Sequence, residues 1–236
     1  EVTALGMAPF VRQFGQSFFI IIVNNALRAF GDELAISAFG VINKLLIFAL
    51  MPLVGIAQGF QPIAGYNYGA RRMSRVREAV KRANLTAVGI SFIYFAAVML
   101  FPRAIFSVFT ADAELIELGS YAMRIVLIAI PLIGMQIIGA VFFQAVGKAL
   151  PSLILTMSRQ IILLIPLVII LPRIFGVVGV WAAFPTADVV ATIITAVWLR
   201  IEMKKLHVLG CREEPELHNG CPDPEELLAE DRELSQ

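Results

Sequence analysis

Six apolar stretches, each long enough to cross a lipid bilayer, dominate the sequence. A bilayer core about 30 Å thick needs roughly 20 residues of helix, and the stretches cover about 8–29, 35–60, 83–102, 120–145, 151–171 and 177–199. They are too long and too continuously apolar for barrel strands, which alternate over about ten residues. With 58% hydrophobic and 16% charged residues, the chain is too apolar to hide in one soluble core. We predict an all-α integral membrane protein with six transmembrane helices.

The charges divide the chain after Leu206. Residues 1–206 hold 17 Lys and Arg and 9 Asp and Glu, whereas residues 207–236 hold 2 and 9. We therefore predict a transmembrane part, 1–206, and an acidic tail, 207–236, that is too short for a core of its own and disordered in the cytoplasm. Since the sequence does not begin with Met, we interpret the chain as a fragment or a separated half.

Orientation follows from the cations near the ends of the spans, because Lys and Arg are retained on the cytoplasmic side. Ten of them gather at one set of ends, namely Arg71, Arg72, Arg75, Arg77, Lys81, Arg82, Lys148, Arg200, Lys204 and Lys205. Four lie at the other: Arg28, Arg103, Arg124 and Arg173. We expect both termini in the cytoplasm. The helical spacing of Met73, Val76 and Val80 predicts a short basic amphipathic helix on the membrane surface.

Three stretches resemble one known family. "QGFQPIAGYNYGARRMSRV" resembles the end of the eighth helix of MATE (multidrug and toxic compound extrusion) exporters, with the pattern Q-G-x-Q-P-x-x-G-Y-N-Y-G-A and a basic loop. "GMAPFVRQFGQSFFIIIVNNAL" is similar to the seventh helix, and "SRQIILLIPLVIILPRIFGVVGVWAAFPTAD" to the last two. The motif residues are Gly59, Gln61, Pro62, Gly65, Tyr66, Asn67, Tyr68 and Gly69.

The resemblance implies a fold and a function. The chain is expected to form the C-terminal six-helix lobe of a twelve-helix, multi-pass transporter of the cytoplasmic membrane, surrounded by lipid and paired with an N-terminal six-helix lobe. Drugs or other small organic cations would bind between the lobes and leave in exchange for protons or sodium ions. No enzymatic activity, cofactor or nucleic acid is expected.

The residue types of the motif have physical roles of their own. Gly55 and Gly59 form a small-xxx-small spacing that lets a neighbouring helix approach closely. The amides of Gln58 and Gln61 should point inward, because they cannot face lipid without cost. Pro52 and Pro62 should bend or end the second span, and Pro62, Gly65 and Gly69 should turn the chain.

Ionisable side chains at membrane depth are expensive and need a reason. Counted at about 1.5 Å per residue, Asp188, Arg159 and Lys44 fall at similar depths. We predict a buried ion pair between Asp188 and Arg159, whose spans are joined by a short loop. The pair either locks two helices together or takes part in proton exchange or substrate contact.

Other residues complete the set of pathway candidates. Uncharged amides within the spans indicate a partly wet interior; the candidates are Gln13, Asn24, Gln58, Gln61 and Gln136. Pro131 and Pro166 lie inside spans and predict helix kinks. The tail brings together His207, Cys211, His218 and Cys221, but their spacing matches no familiar zinc module, so we predict no metal site and expect free thiols in a reducing cytoplasm.

Alternatives come from other functional classes. An intramembrane enzyme lacks support, because the spans contain no His and neither an H-E-x-x-H nor a G-x-S-x-G motif. A lipid-linked oligosaccharide flippase of related fold needs a cavity rich in Arg and Lys, whereas the interior offers only Arg12, Lys44 and Arg159. The third alternative is a truncated membrane scaffold that does not transport.

Overall fold

The protein is described by a computed structural model, which gives the backbone of residues 2–213 and the side chains of residues 17–148, 150–209 and 211. This part of the chain contains helices and no strand, so the all-α prediction is confirmed. The helices are α1 (Val2–Phe30), α2 (Glu33–Gly69), α3 (Met73–Leu100), α4 (Pro102–Ser107), α5 (Ala113–Leu127), α6 (Ile130–Ala145), α7 (Ala149–Met157), α8 (Ile165–Ile170), α9 (Pro172–Phe175) and α10 (Val177–Glu213). A π-helix, Ser158–Leu164, joins α7 to α8.

Four helical segments in the described part are long and apolar enough to cross a membrane: Glu33–Gly69, Met73–Leu100, Leu150–Phe175 and Val177–Leu209. The pair α5 and α6 forms a fifth if it is counted as one bent span, and Ser17–Phe30 is a shorter apolar helix. Most side chains in the first half of α1 lie outside the described residues. The sixth span therefore stays a prediction.

A proline marks the bend in one of the predicted spans. Helices α5 and α6 meet at 44°, and Pro131 lies in the first turn of α6, where its missing N–H leaves no intrahelical bond unmade. The predicted kink is confirmed. Pro166 lies in the first turn of α8, directly after the π-helix, but the segment Leu150–Phe175 counts as one unbroken span, so the kink predicted at Pro166 stays a prediction.

Helix α2 is not interrupted by its two prolines. It runs unbroken through Pro52 and Pro62 to Gly69, so the expectation that Pro62 and Gly65 stop the helix is wrong, and only Gly69 lies at its end. Both proline rings are exposed on the surface of the bundle, where no packed neighbour restricts the small backbone adjustments that membrane helices use to tolerate proline.

The basic segment after α2 is the first part of a long helix rather than a separate surface helix. Met73, Val76 and Val80 occupy one side of α3 and are buried. They belong to an apolar cluster that includes Phe142 of α6 and Leu206 of α10. The predicted amphipathic pattern is therefore present, but its apolar side packs against protein and not against lipid.

Two apolar clusters hold the bundle together, one toward each end. The first is centred on Trp181 and Phe184 of α10, and the ring of Phe39 on α2 lies 5.9 Å from that of Phe184. The second contains Phe142 and Phe143 of α6. Edge-to-face and tilted aromatic pairs of this kind add about 0.5–1.5 kcal/mol each beyond their buried area.

Helices α3 and α6 approach each other closely at Gly134. A Cβ added to Gly134 would lie 3.1 Å from the carbonyl oxygen of Ala87, so only glycine permits this backbone separation without movement. In contrast, Gly55 and Gly59 have no atom within 4 Å of an added Cβ. The close contact that the sequence predicts at these two glycines is absent from the described bundle.

Helix α10 continues seven residues past the predicted start of the tail, to Glu213. Val208 and Cys211 are buried, and Nη1 of Arg77 donates a hydrogen bond of 2.7 Å to Nδ1 of His207, so this segment packs onto α3 and is not a free tail. Cys211 is disulfide-bonded, and the expectation of a free thiol there is wrong. His218, Cys221 and the rest of the predicted tail lie outside the described residues.

Candidate functional site

A buried ion pair joins the π-helix to α10. Nε of Arg159 donates a hydrogen bond to Oδ1 of Asp188, which confirms the predicted pairing. The Arg159 side chain is 26% exposed and that of Asp188 4%. The carboxylate is therefore sealed behind the guanidinium, and removing one partner would leave a charge inside the bundle.

Hydrogen bonds between α6 and α10 fix the backbone next to this pair. Nε2 of Gln136 donates to the carbonyl oxygen of Asp188 at 2.7 Å and to Oγ1 of Thr192 at 2.6 Å. The Thr192 hydroxyl also donates to the Asp188 carbonyl oxygen at 2.6 Å. Because Gln136 uses both amide protons here, Asp188 is held at a fixed position relative to α6.

The ion pair borders a cavity of about 400 Å³ between α2, α6 and the α7–π-helix segment. Most of its polar lining consists of amide side chains. The polar residues that line it are Gln58, Gln61, Gln136, Gln144, Thr156, Arg159 and Gln160. Four pathway candidates predicted from the sequence, Gln58, Gln61, Gln136 and Arg159, thus face one space, and Asp188 lies directly behind Arg159.

The π-helix carries two polar residues that reach the cavity. Arg159 and Gln160 both line this cavity and a smaller one of about 70 Å³. The smaller cavity lies against α1, α2 and α10, with Phe19, Asn43 and Phe184 in its wall. Arg159 and Gln160 therefore separate the two spaces.

Three other predicted candidates do not join this site. Lys44 is exposed on α2 and makes no ion pair in the described part of the chain. Asn24 lies at the opposite end of the bundle, beside Arg28 and Asp32 in the turn between α1 and α2. Gln13 is on α1, but its side chain lies outside the described residues.

The motif residues shape the last turns of α2. A Cβ on Gly65 would lie 3.3 Å from the carbonyl oxygen of Ala145, which explains the small residue there. Nδ2 of Asn67 donates to the carbonyl oxygen of Ile63 at 2.8 Å. Tyr66 is exposed, while Tyr68 packs against the second apolar cluster.

Sequence reasoning missed Gln160, Thr156 and Thr192, and also an ion pair at the cationic end of the bundle. There, Nζ of Lys148 contacts Oε1 of the buried Glu202 and ties the α6–α7 turn to α10. In the sequence, Glu202 could have been recognised as an acid among the cations that follow the last predicted span. Within the described residues, no group of three His, Cys, Asp or Glu side chains is arranged to hold a metal ion.

Residues 10–170 match the model of a protein family described as MatE. The chain belongs to the MatE family. Among curated proteins, this MatE chain is 24% identical over 181 residues to the multidrug export protein MepA of Staphylococcus aureus strain MSSA476. It is 21% identical over 180 residues to MepA of Staphylococcus haemolyticus strain JCSC1435. Each alignment covers 76% of the chain and 39% of the relative, so the chain spans about two-fifths of the length of these relatives.

Solved structures agree with the family. The MATE multidrug transporter DinF-BH in complex with R6G is 47% identical to this MatE chain, with a TM-score of 0.72 and coverage of 83% of this chain and 44% of that one. An outward-facing MATE transporter of the MOP superfamily has a TM-score of 0.79 at 23% identity, with coverage of 85% and 46%. The resemblance to MATE exporters is confirmed.

Proposed function

We propose that the chain is the C-terminal six-helix lobe of an antiporter that exports drugs or other organic cations across the cytoplasmic membrane. Protons or sodium ions drive the exchange, and an N-terminal six-helix lobe completes the transporter. Both ends of this chain face the cytoplasm. The relatives named as multidrug export protein and as a MATE multidrug transporter in complex with R6G support this proposal.

One observation carries the proposal most directly: the amide-lined cavity between the apolar helices α2 and α6 and the α7–π-helix segment. An amide side chain at membrane depth is costly when it faces lipid, so several of them around one space indicate a hydrated path or binding site. The family motif on α2 supplies Gln58 and Gln61 to this space. The motif is therefore part of the proposed pathway as well as of the packing.

Coupling is assigned mainly to the N-terminal lobe. The predicted first and fourth spans, 8–29 and 120–145, contain no Asp within the apolar core and Asp188 is the only acid inside any of the six stretches. Asp188 is already neutralised by Arg159. We propose that it supports the pathway by holding Arg159, while an acid of the other lobe exchanges the driving ion.

The flippase alternative finds less support. Recognition of a pyrophosphate calls for several cations in one cavity, whereas Arg159 is the single cation in the described lining and Lys44 lies elsewhere. The non-transporting scaffold remains the other alternative. It predicts no solute movement under any gradient.

Transport in proteoliposomes tests the function. The complete transporter, with both lobes, is reconstituted, and rhodamine 6G uptake or release is followed under a proton gradient or a sodium gradient imposed separately. We expect movement of the dye against its own gradient under one of the two ions. Dye movement that is the same with and without either gradient would refute coupled export.

A further inference from the structure

The cavity between α2, α6 and the π-helix contains many polar groups that no protein group satisfies. Among the described residues, the side chains of Gln58, Gln61, Gln144 and Gln160 have no hydrogen-bond partner, although all four line the cavity. Arg159 uses only Nε, in its bond to Asp188. The four N–H groups of its terminal nitrogens therefore remain available.

The charges of the ion pair are arranged asymmetrically with respect to the cavity. Arg159 lines the cavity and Asp188 does not, so the ion pair acts as a dipole with its positive end toward the space. The described lining contains no acidic side chain. A cationic group that entered would meet the guanidinium without a compensating carboxylate, whereas an anionic group would meet the guanidinium and amide N–H donors.

We propose that this cavity is a substrate subsite for a negatively charged, hydrogen-bond-accepting group, such as a carboxylate or a sulfonate, with Arg159 as its charged donor. Guanidinium groups bind planar oxyanions through paired N–H donors, and charge-assisted bonds of this kind are about twice as strong as neutral ones. Asp188 keeps the guanidinium neutralised while the cavity is empty. The inference rests on the proposed function and assigns it a substrate class: amphoteric molecules, whose cationic part lies outside this cavity.

The geometry of the π-helix fits this role. The π-helix carries both Arg159 and Gln160, which line the cavity, and π-helical turns inside α-helices are frequent at functional sites. Gln136 cannot rotate to replace Arg159 because both of its amide protons are bonded to α10. The positive end of the cavity is thus positioned by the fold rather than by a flexible side chain.

Charged thiol reagents measure the proposed polarity without a known substrate. A thiol is introduced by Gln61→Cys in the complete transporter, and a second one by Ser107→Cys, at the exposed last residue of α4, as a control. The reagents are methanethiosulfonates that carry either a sulfonate or a trimethylammonium group. Reaction at each position is read separately by peptide mass spectrometry.

We expect the sulfonate-to-ammonium rate ratio at position 61 to fall by roughly tenfold when Arg159→Gln and Asp188→Asn are combined, and the ratio at position 107 to stay the same. The combined change removes both charges, so no unpaired ion is left to unfold the bundle. A ratio at position 61 that changes by less than about twofold would overturn the proposal. So would a failure of both reagents to react there, because the cavity would then be closed to solutes.

A matched pair of dyes tests the substrate class. Rhodamine 6G carries an ester where its free acid carries a carboxylate, and the two are otherwise the same molecule. Equilibrium binding to the transporter, measured by fluorescence anisotropy with no ion gradient, should favour the free acid, and the combined variant should lose that preference. Arg173→Gln, an exposed cation away from the cavity, should keep it.

Equal affinity for the two dyes, or no saturable binding of the free acid, would refute the subsite. Because binding is measured without a gradient, this result is independent of coupled export. If the free acid binds through Arg159 but neither ion gradient moves it, the proposed function fails and the subsite stands. If the dye is exported with no dependence on Arg159, the function stands and the subsite fails.

Discussion

The two partners of the buried ion pair should not be equally costly to remove. Arg159→Gln leaves the Asp188 carboxylate, which is 4% exposed, without a countercharge. Breaking a buried pair in this way costs about 3–5 kcal/mol. Asp188→Asn leaves the guanidinium, which is 26% exposed and opens onto a cavity of about 400 Å³.

Water in that cavity can hydrate the unpaired guanidinium, and the amide oxygen introduced by Asp188→Asn can still accept the bond from Nε of Arg159. We therefore expect Asp188→Asn to cost about 1–3 kcal/mol, the usual range for a weakened buried hydrogen bond. The combined variant leaves two neutral groups of similar volume. It should lie within about 1 kcal/mol of the parent, because neutral replacement of buried pairs is often nearly neutral in stability.

The assay is unfolding of the purified transporter by titration with a denaturing detergent, followed by tryptophan fluorescence. Trp181 is fully buried on α10, two turns before Asp188, and reports on the helix that carries the acid. An Asp188→Asn variant that is as unstable as Arg159→Gln, or a combined variant whose loss equals the sum of the two, would refute the reasoning. It would mean that the cavity does not hydrate the cation.

Two contacts outside the cavity give simpler tests. Gly134→Leu should lower the unfolding free energy by about 1–3 kcal/mol through overpacking against α3, which is measured as a lower thermal midpoint. Gly89→Leu, where an added Cβ has no atom within 4 Å, should leave the midpoint unchanged, and equal effects of the two substitutions would contradict the prediction. Glu202→Gln should weaken the contact with Lys148 by about 1 kcal/mol and speed hydrogen exchange in the α6–α7 turn. Glu78→Gln, in an exposed pair, should leave that exchange unchanged.

The depth of a charged residue in the membrane could be predicted from the sequence, but the direction in which its side chain points could not. The rise per residue placed Asp188, Arg159 and Lys44 at one level, and two of the three meet there. Lys44 is exposed, because the count of residues from a span end fixes height and says little about which side of the helix faces the bundle. The cost of amides facing lipid made Gln58, Gln61 and Gln136 candidates for the interior, and all three line one cavity. Asn24, chosen on the same ground, lines a different one.

The spacing of residues within one helix could not predict which helix that segment packs against. Gly55 and Gly59 have the spacing of a close helix contact, yet the contact is made by Gly134, whose neighbour Ala87 is distant in sequence. The π-helix also could not be recognised from the pattern of apolar and polar residues in the sequence. Residues 161–165 are all Ile or Leu, so a change of helical period moves no polar residue onto an apolar side.

The π-helix has a consequence for how this chain aligns with its relatives. A π-helical turn accommodates about one residue more than the α-helix it interrupts, and one residue corresponds to a rotation of about 100°. A family member with a regular helix here should show a single-residue gap between positions 158 and 164. Its counterpart of Arg159 would then be turned away from the acid on the last helix. The two proteins would share these residues in sequence, but different side chains would line their interiors.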